Sequence, residues 1–281
     1  MASRRELIDA AIDLITENYV FPDVAEKVVE VLRANDYDHL TDIDAFAAAV
    51  TADLQSVNGD KHFRLLHEHR PPPALDPRHG FDKVEVLDGN IGYVENTRLR
   101  DPATHGDLAA AAMTLVADTD ALIIDLRRCR GGDPAMVSLI CGYLFDDSTH
   151  VNDIYQRADG TTAQFWTPPY VPGRKFGGRK PIWVLTSAIT FSGGEELAYD
   201  LQQTGRATVV GETTRGGAHP TDWHELADNL YLTIPEARSI NPRSGTNWEA
   251  VGVSPDVDLP AAQALDHALK LARNFLAEPG N

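Results

Sequence analysis

Pro181-Ile182-Trp183-Val184-Leu185-Thr186, followed by Ser187-Ala188-Ile189-Thr190-Phe191-Ser192-Gly193-Gly194-Glu195-Glu196, is the stretch that decides the fold. Its apolar, β-branched and aromatic run between a proline and a Ser/Gly-rich segment predicts a buried strand. A helix is predicted next, from about Ser192 to Gln203. The same order occurs upstream. Ala121 to Leu126 predicts a buried strand, Arg130-Gly131-Gly132 a turn, and a helix follows from about Pro134. Ala207 to Val210 predicts a third buried strand. Alternation of this kind implies parallel strand–helix–strand units, hence an α/β fold. Open α/β sheets place their sites at the carboxyl ends of the strands.

Two such ends carry residues with chemistry. Ser192 stands where the free N–H groups and dipole of a helix N-terminus favour negative charge. That setting favours a developing alkoxide and, through the N–H of Gly193, an oxyanion. Gly131 or Gly132, at the neighbouring strand end, offers a second donor. Ser192-x-x-Glu195 is equally a capping box, and serine caps helices for purely structural reasons. The local pattern leaves both readings open.

Outward from this core, the first seventy residues read as helical. Leu7, Ala11, Leu14 and Ile15 fall at helical spacing. Pro22-Asp23 opens a second helix carrying Val24, Val28, Val29 and Leu32. Thr41 with Asp44 resembles a capping box for a third, with Phe46, Val50 and Leu54 as its stripe. Pro71-Pro72-Pro73 marks a boundary, giving an N-terminal helical domain at 1–70 and an α/β catalytic core at 71–281. Lys83 to Leu87, Asp88-Gly89-Asn90 and Ile91 to Val94 predict a hairpin. Asn229 to Ile234 predicts a later edge strand, and Ala261 to Leu276 a closing helix.

Longer segments carry a family resemblance. Thr186 through Gly193-Gly194-Glu195, then Gly205 through Gly211-Glu212-Thr213-Thr214-Arg215-Gly216-Gly217, resembles the C-terminal-processing (tail-specific) peptidase family. So do Asp125-Leu126-Arg127 with Gly131-Gly132, and Glu249-Ala250-Val251-Gly252-Val253-Ser254-Pro255-Asp256. The helical N-terminus and Gly59-Asp60-Lys61-His62-Phe63 are similar to the branch holding interphotoreceptor retinoid-binding protein modules and the tricorn core protease. The resemblance implies a crotonase-like α/β core with a small N-terminal helical domain. Between Pro73 and Ala121 the chain has no room for an inserted PDZ domain.

The best-known members pair serine with a lysine in a Gly-Lys-Gly context. Here that place reads Arg215-Gly216-Gly217-Ala218, and a guanidinium does not deprotonate in proteins. The tricorn-like branch pairs its serine with a histidine and a glutamate, and His62 and Glu249 occupy the matching motifs. The resemblance thus implies Ser192 as nucleophile, His62 as base and Glu249 as its support. Lys61 stands where the branch usually has a small or polar residue. The implied activity is a serine peptidase acting on peptides or proteins, with no cofactor or metal. The retinoid-binding relatives imply an alternative, a non-catalytic module for apolar ligands. Esterase or acyl-transfer action would use the same residues.

Other candidates are weaker. His67 and His69 would share a strand face, but no third metal ligand follows at recognisable spacing. His219 and His224 fall in a loop after Gly217 and read as rim residues at most. Cys129 is a candidate reactive thiol near the glycine pair. Trp166-Thr167-Pro168-Pro169-Tyr170 reads as a groove lining or a loop anchor.

Composition bounds the partners. With 42 acidic against 25 basic residues the formal charge is -17, which repels phosphate backbones and argues against nucleic acid. Arg174, Lys175, Arg179 and Lys180, diluted by glycines, read as a solvated loop. No run approaches the length of a membrane span, and Glu6, Asp9 and Asp13 interrupt the apolar N-terminal residues, so no export leader is expected. Cys129 and Cys141 form no disulfide framework. A cytoplasmic protein is expected, and a homo-oligomer is left open.

Overall fold

The computed structural model of the chain describes residues 3–67 and 80–278. The elements in chain order begin with α1 (Arg4–Asn18), α2 (Pro22–Ala34), α3 (Ile43–Gln55) and β1 (Arg64–His67). Next come β2 (Phe81–Leu87), β3 (Ile91–Asn96), α4 (Pro102–Val116), β4 (Ala121–Asp125) and α5 (Pro134–Leu144). They are followed by β5 (His150–Gln156), β6 (Thr162–Trp166), β7 (Ile182–Thr186), α6 (Gly193–Gln203) and β8 (Thr208–Gly211). The last are β9 (Thr221–Ala227), β10 (Leu230–Pro235), β11 (Ala237–Ile240), β12 (Val257–Asp258) and α7 (Ala261–Ala277).

The residues fall into two compact units. The first comprises Met1–Ala74, Ile154–Ala163 and His219–Ser239, the second Leu75–Asp153, Gln164–Ala218 and Ile240–Asn281. The first unit therefore takes two later segments besides the 1–70 expected from sequence. The proline boundary at 71–73 lies outside the described residues.

In the first unit, α1 buries Leu7, Ile8, Ala11, Ile12 and Ile15, α2 buries Val28, Val29 and Leu32, and α3 buries Phe46, Val50 and Leu54. These stripes share one core with Leu65, Leu230, Leu232 and Ile234 of a three-stranded sheet ordered β1-β10-β9. Two expectations change here. Asp42, not Thr41, caps α3, accepting from the Ala45 N–H at 2.7 Å. The 229–234 strand is central, not an edge, because β1 and β9 pair with its two sides.

In the second unit a six-stranded sheet is ordered β12-β8-β7-β4-β3-β2. The pairs β3–β4, β4–β7, β7–β8 and β8–β12 are parallel, and β2–β3 is the predicted hairpin, with Gly89 and Asn90 both at positive φ. Alternating side chains serve two cores, as the two-residue period of a strand requires. Leu122, Ile124, Val184 and Val209 pack with α4, α5 and α6, while Ala121, Ile123, Trp183, Leu185 and Val210 pack with Ala264, Ala268 and Ala272 of α7. Helices on both faces explain why these strands read as continuous apolar runs. β7 and β4 are neighbours in parallel register, so their carboxyl ends open side by side.

Candidate active site

The chain leaves β7 and enters α6 through a turn fastened to the turn after β4. Thr190 Oγ1 donates to the Leu126 carbonyl at 2.8 Å, Ser187 Oγ to the Arg127 carbonyl at 2.6 Å, and the Phe191 N–H to the Cys129 carbonyl at 3.1 Å. At its end Ser192 adopts φ 55° and ψ -128°. An L residue held there stores of order 1–3 kcal/mol, so the surroundings must impose it. Ser192 is the N-cap of α6 and forms a capping box with Glu195, whose Oε2 accepts from the Ser192 N–H at 2.9 Å. The N–H groups of Glu195 and Glu196 go to the Ser192 carbonyl oxygen, at 2.7 and 3.0 Å.

The glycine pair meets this turn directly. A Cβ placed on Gly131 would lie 2.6 Å from Ser192 Cβ and 2.8 Å from the Gly193 nitrogen. One placed on Gly193 would lie 2.9 Å from the Gly132 carbonyl oxygen. Gly132 is held by Leu99, whose N–H donates to Gly131 at 3.0 Å and whose carbonyl accepts from Asp133 at 2.7 Å. Asp133 in turn caps α5. Among the described residues neither Gly132 nor Gly193 spends its N–H on a protein acceptor. The structure therefore brings Ser192, Gly193, Gly131 and Gly132 together.

Behind the turn, Glu195 is fully buried. Its Oε1 accepts from Thr214 Oγ1 at 2.5 Å and the Gly216 N–H at 2.6 Å, its Oε2 from the Ser192 and Gly217 N–H groups, both at 2.9 Å. Burial pushes this carboxyl above the usual range, and the four donors oppose the shift. The same loop continues to Ala218, whose N–H donates to Glu249 Oε2 at 2.5 Å. Trp248 Nε1 donates to the Gly217 carbonyl at 2.8 Å, which seats the Glu249 turn on that loop. Sequence spacing showed Glu195 as a capping partner but not as a hub.

His62 belongs to the first unit. Its N–H donates to Asp60 Oδ1 at 3.1 Å and its carbonyl accepts from Thr233 Oγ1 at 2.6 Å. Asp60, fully buried, also accepts from His219 Nδ1 at 2.7 Å and Tyr19 hydroxyl at 3.2 Å. His219 is thus a buried partner of Asp60, not the rim residue expected from its loop position. His224 pairs with Glu236 at 2.6 Å and His67 with Asp44 at 2.8 Å, while His69 lies outside the described residues. Cys129 is also corrected. It is wholly buried, donates to Asn96 Oδ1 at 3.6 Å, and burial pushes its thiol up to about 11, so little thiolate exists at neutral pH. Trp166 stacks on His150 at 4.6 Å between ring centres, and Tyr170 is 78% exposed.

The next turn of α6 carries a buried acid pair, Glu196 and Asp200, held by Asn152 at 3.1 Å and Asn241 at 3.0 Å. Desolvation raises Glu196 from 4.5 to about 7 and Asp200 well above its ordinary value. The native pair keeps protons that the unfolded chain releases. Stability from Glu196 is therefore full below about pH 4.5 and is lost as pH rises to about 7. Thermal melts should show the melting temperature falling across that window, and less so in Glu196→Gln. An equal fall in the variant would remove the pair as its cause.

The parallel strands of the sheet thus carry a strained serine at a strand-to-helix turn, beside a second glycine-bearing strand end. The chain belongs to peptidase family S41, which residues 90–259 match, and residues 2–97 match the N-terminal domain of that family in eukaryotic IRBP. Carboxyl-terminal-processing peptidase 2, chloroplastic, of Arabidopsis thaliana is 30% identical over 183 residues, covering 60% of this chain and 32% of the relative. The chain spans between 32% and 46% of the length of the three curated relatives it matches. Among solved structures, the photosystem II D1 C-terminal processing protease superposes with TM-score 0.60 at 16% identity, covering 99% of this chain and 98% of that one. The tricorn protease superposes with TM-score 0.64 at 16% identity, covering 98% of this chain and 37% of that one. These agree with the expected α/β core and IRBP-type N-terminus, and the family matches include no PDZ domain.

The cytoplasmic expectation is overturned. All three curated relatives bear the name chloroplastic, so two cysteines outside a disulfide framework do not assign a compartment. Physically, both thiols are buried core residues, whose state reports packing and not the surrounding redox potential.

Proposed function

We propose that this chain is a serine peptidase acting on peptide or protein substrates. Ser192 Oγ adds to the substrate carbonyl carbon while its proton passes to His62. Glu249, fixed through the Ala218 N–H, holds the charge and orientation of the imidazole. The oxyanion is received by the N–H groups of Gly193 and Gly132. Collapse expels the amine, which takes its proton from His62, and water then releases the acyl group by the same route in reverse. The single observation carrying this reading is the strained Ser192 beside two N–H groups that no acceptor among the described residues uses. Family membership supports the peptidase class.

The test is a fluorophosphonate probe read by intact mass. One adduct is expected, mapped to Ser192. No adduct on the folded protein would favour the module for apolar ligands instead. The base is tested by pH. Free histidine titrates near about 6.5, so kcat/KM should climb through the histidine range and level off. His62→Ala should remove that titration with most of the activity, and Lys61→Ala should keep it. The reverse pattern would mean a Ser–Lys mechanism.

A further inference from the structure

We propose that Glu195 is a positioning residue for Ser192, an obligatory carboxylate tying the nucleophile turn to the loop that fixes Glu249; this rests on Ser192 being the nucleophile. Each Glu195 oxygen receives two donors, Oε1 from Thr214 and Gly216, Oε2 from Ser192 and Gly217. Three of the four are backbone N–H groups, which cannot accept. The fourth, Thr214 Oγ1, accepts the Val253 N–H at 2.7 Å and turns its own proton to Glu195 Oε1. The three N–H groups can take no carboxyl proton, and the ionised form uses all of its roughly four lone-pair sites. A buried carboxylate in this position is highly directional, since every donor strengthens in a low dielectric.

The consequence is mechanical. The bond to the Ser192 N–H holds the serine backbone at φ 55°. The bonds to Gly216 and Gly217 hold the loop whose next N–H, that of Ala218, fixes Glu249. One side chain thus sets the relation between the proposed nucleophile and the proposed orienting carboxylate. Rates depend steeply on such placement, with misplacement of about 1 Å costing on the order of 100-fold.

Glu195→Gln is isosteric but turns an NH2 toward donors, so at least one bond is lost. Wild-type labelling by the fluorophosphonate is measured first. The expected result is a labelling rate and kcat at least about tenfold lower in Glu195→Gln, with KM within about twofold of wild type. Thr214→Ser, which keeps the hydroxyl, should restore wild-type rates, whereas Thr214→Val should lose several-fold in kcat at unchanged KM. If Glu195→Gln does not fold, the Thr214 pair decides. Wild-type kcat in folded Glu195→Gln, or in Thr214→Val, overturns the positioning role while leaving Ser192 as nucleophile. A wild-type protein that takes no label overturns both.

Discussion

Ser192→Ala is expected to abolish turnover, by roughly 10⁴-fold or more, while leaving the melting temperature nearly unchanged. The Glu195 N–H goes to the Ser192 carbonyl at 2.7 Å and keeps that bond when the hydroxyl is removed, so the loss of cap energy is at most about 1 kcal/mol. Ser192→Gly should go further. The backbone there has φ 55°, which glycine adopts without the clash a Cβ brings. Relief of that strain should stabilise the protein by about 1 kcal/mol, or roughly 2 °C for a chain of this size. A catalytically dead protein that melts higher would mark strain kept for function. A Ser192→Gly protein that melts several degrees below wild type would show instead that the turn is relaxed. A Ser192→Ala enzyme with full turnover would remove the nucleophile assignment altogether.

The largest effect on stability is expected at Gly132. A Cβ there would lie 1.8 Å from the Leu99 carbonyl oxygen, with φ at +149°. The obstacle is backbone, so no rotamer change relieves it. Either the Leu99 bridge opens or the Gly131–Asp133 turn moves, and with it the cap of α5. Gly132→Ala should therefore cost about 3 kcal/mol or more and lose activity with the fold. Gly160→Ala is the control. Its φ is +68° but nothing lies within 4 Å of the added carbon, so only the backbone penalty of about 1–2 kcal/mol should appear. Chemical denaturation of the two variants makes the comparison. Equal losses would mean that the close approach of Leu99 to Gly132 is not rigid.

Elements set by local pattern were legible before any coordinates. The apolar runs at 121–126 and 181–186 could only be buried strands, and they are β4 and β7. Asp88-Gly89-Asn90 dictated a hairpin because glycine and asparagine tolerate positive φ. Ser192 before two glycines announced a helix start, and α6 begins at Gly193. Where two residues competed for one local role, sequence was less sure. Thr41 and Asp42 are both good caps, and the structure uses Asp42. The α4 helix escaped reading, because Ala109 to Ala112 is a run of small residues with little periodic contrast, although Asp101-Pro102 caps it.

By itself, then, the sequence determined the α/β class, the family likeness and the short motifs that hold Ser192, His62 and Glu249. Periodicity, capping and glycine conformation act within a few residues, so one strand of text contains them. The tertiary structure alone decided which segments share a sheet, and so made 229–234 central between β1 and β9. It turned Glu195 from a cap partner into a carboxylate with four donors, three of them from residues 19 to 22 positions away. It also buried His219 against Asp60, 159 residues distant in the chain. A buried charge takes its role from whichever donors the fold places around it, and such long-range partners leave no local signature.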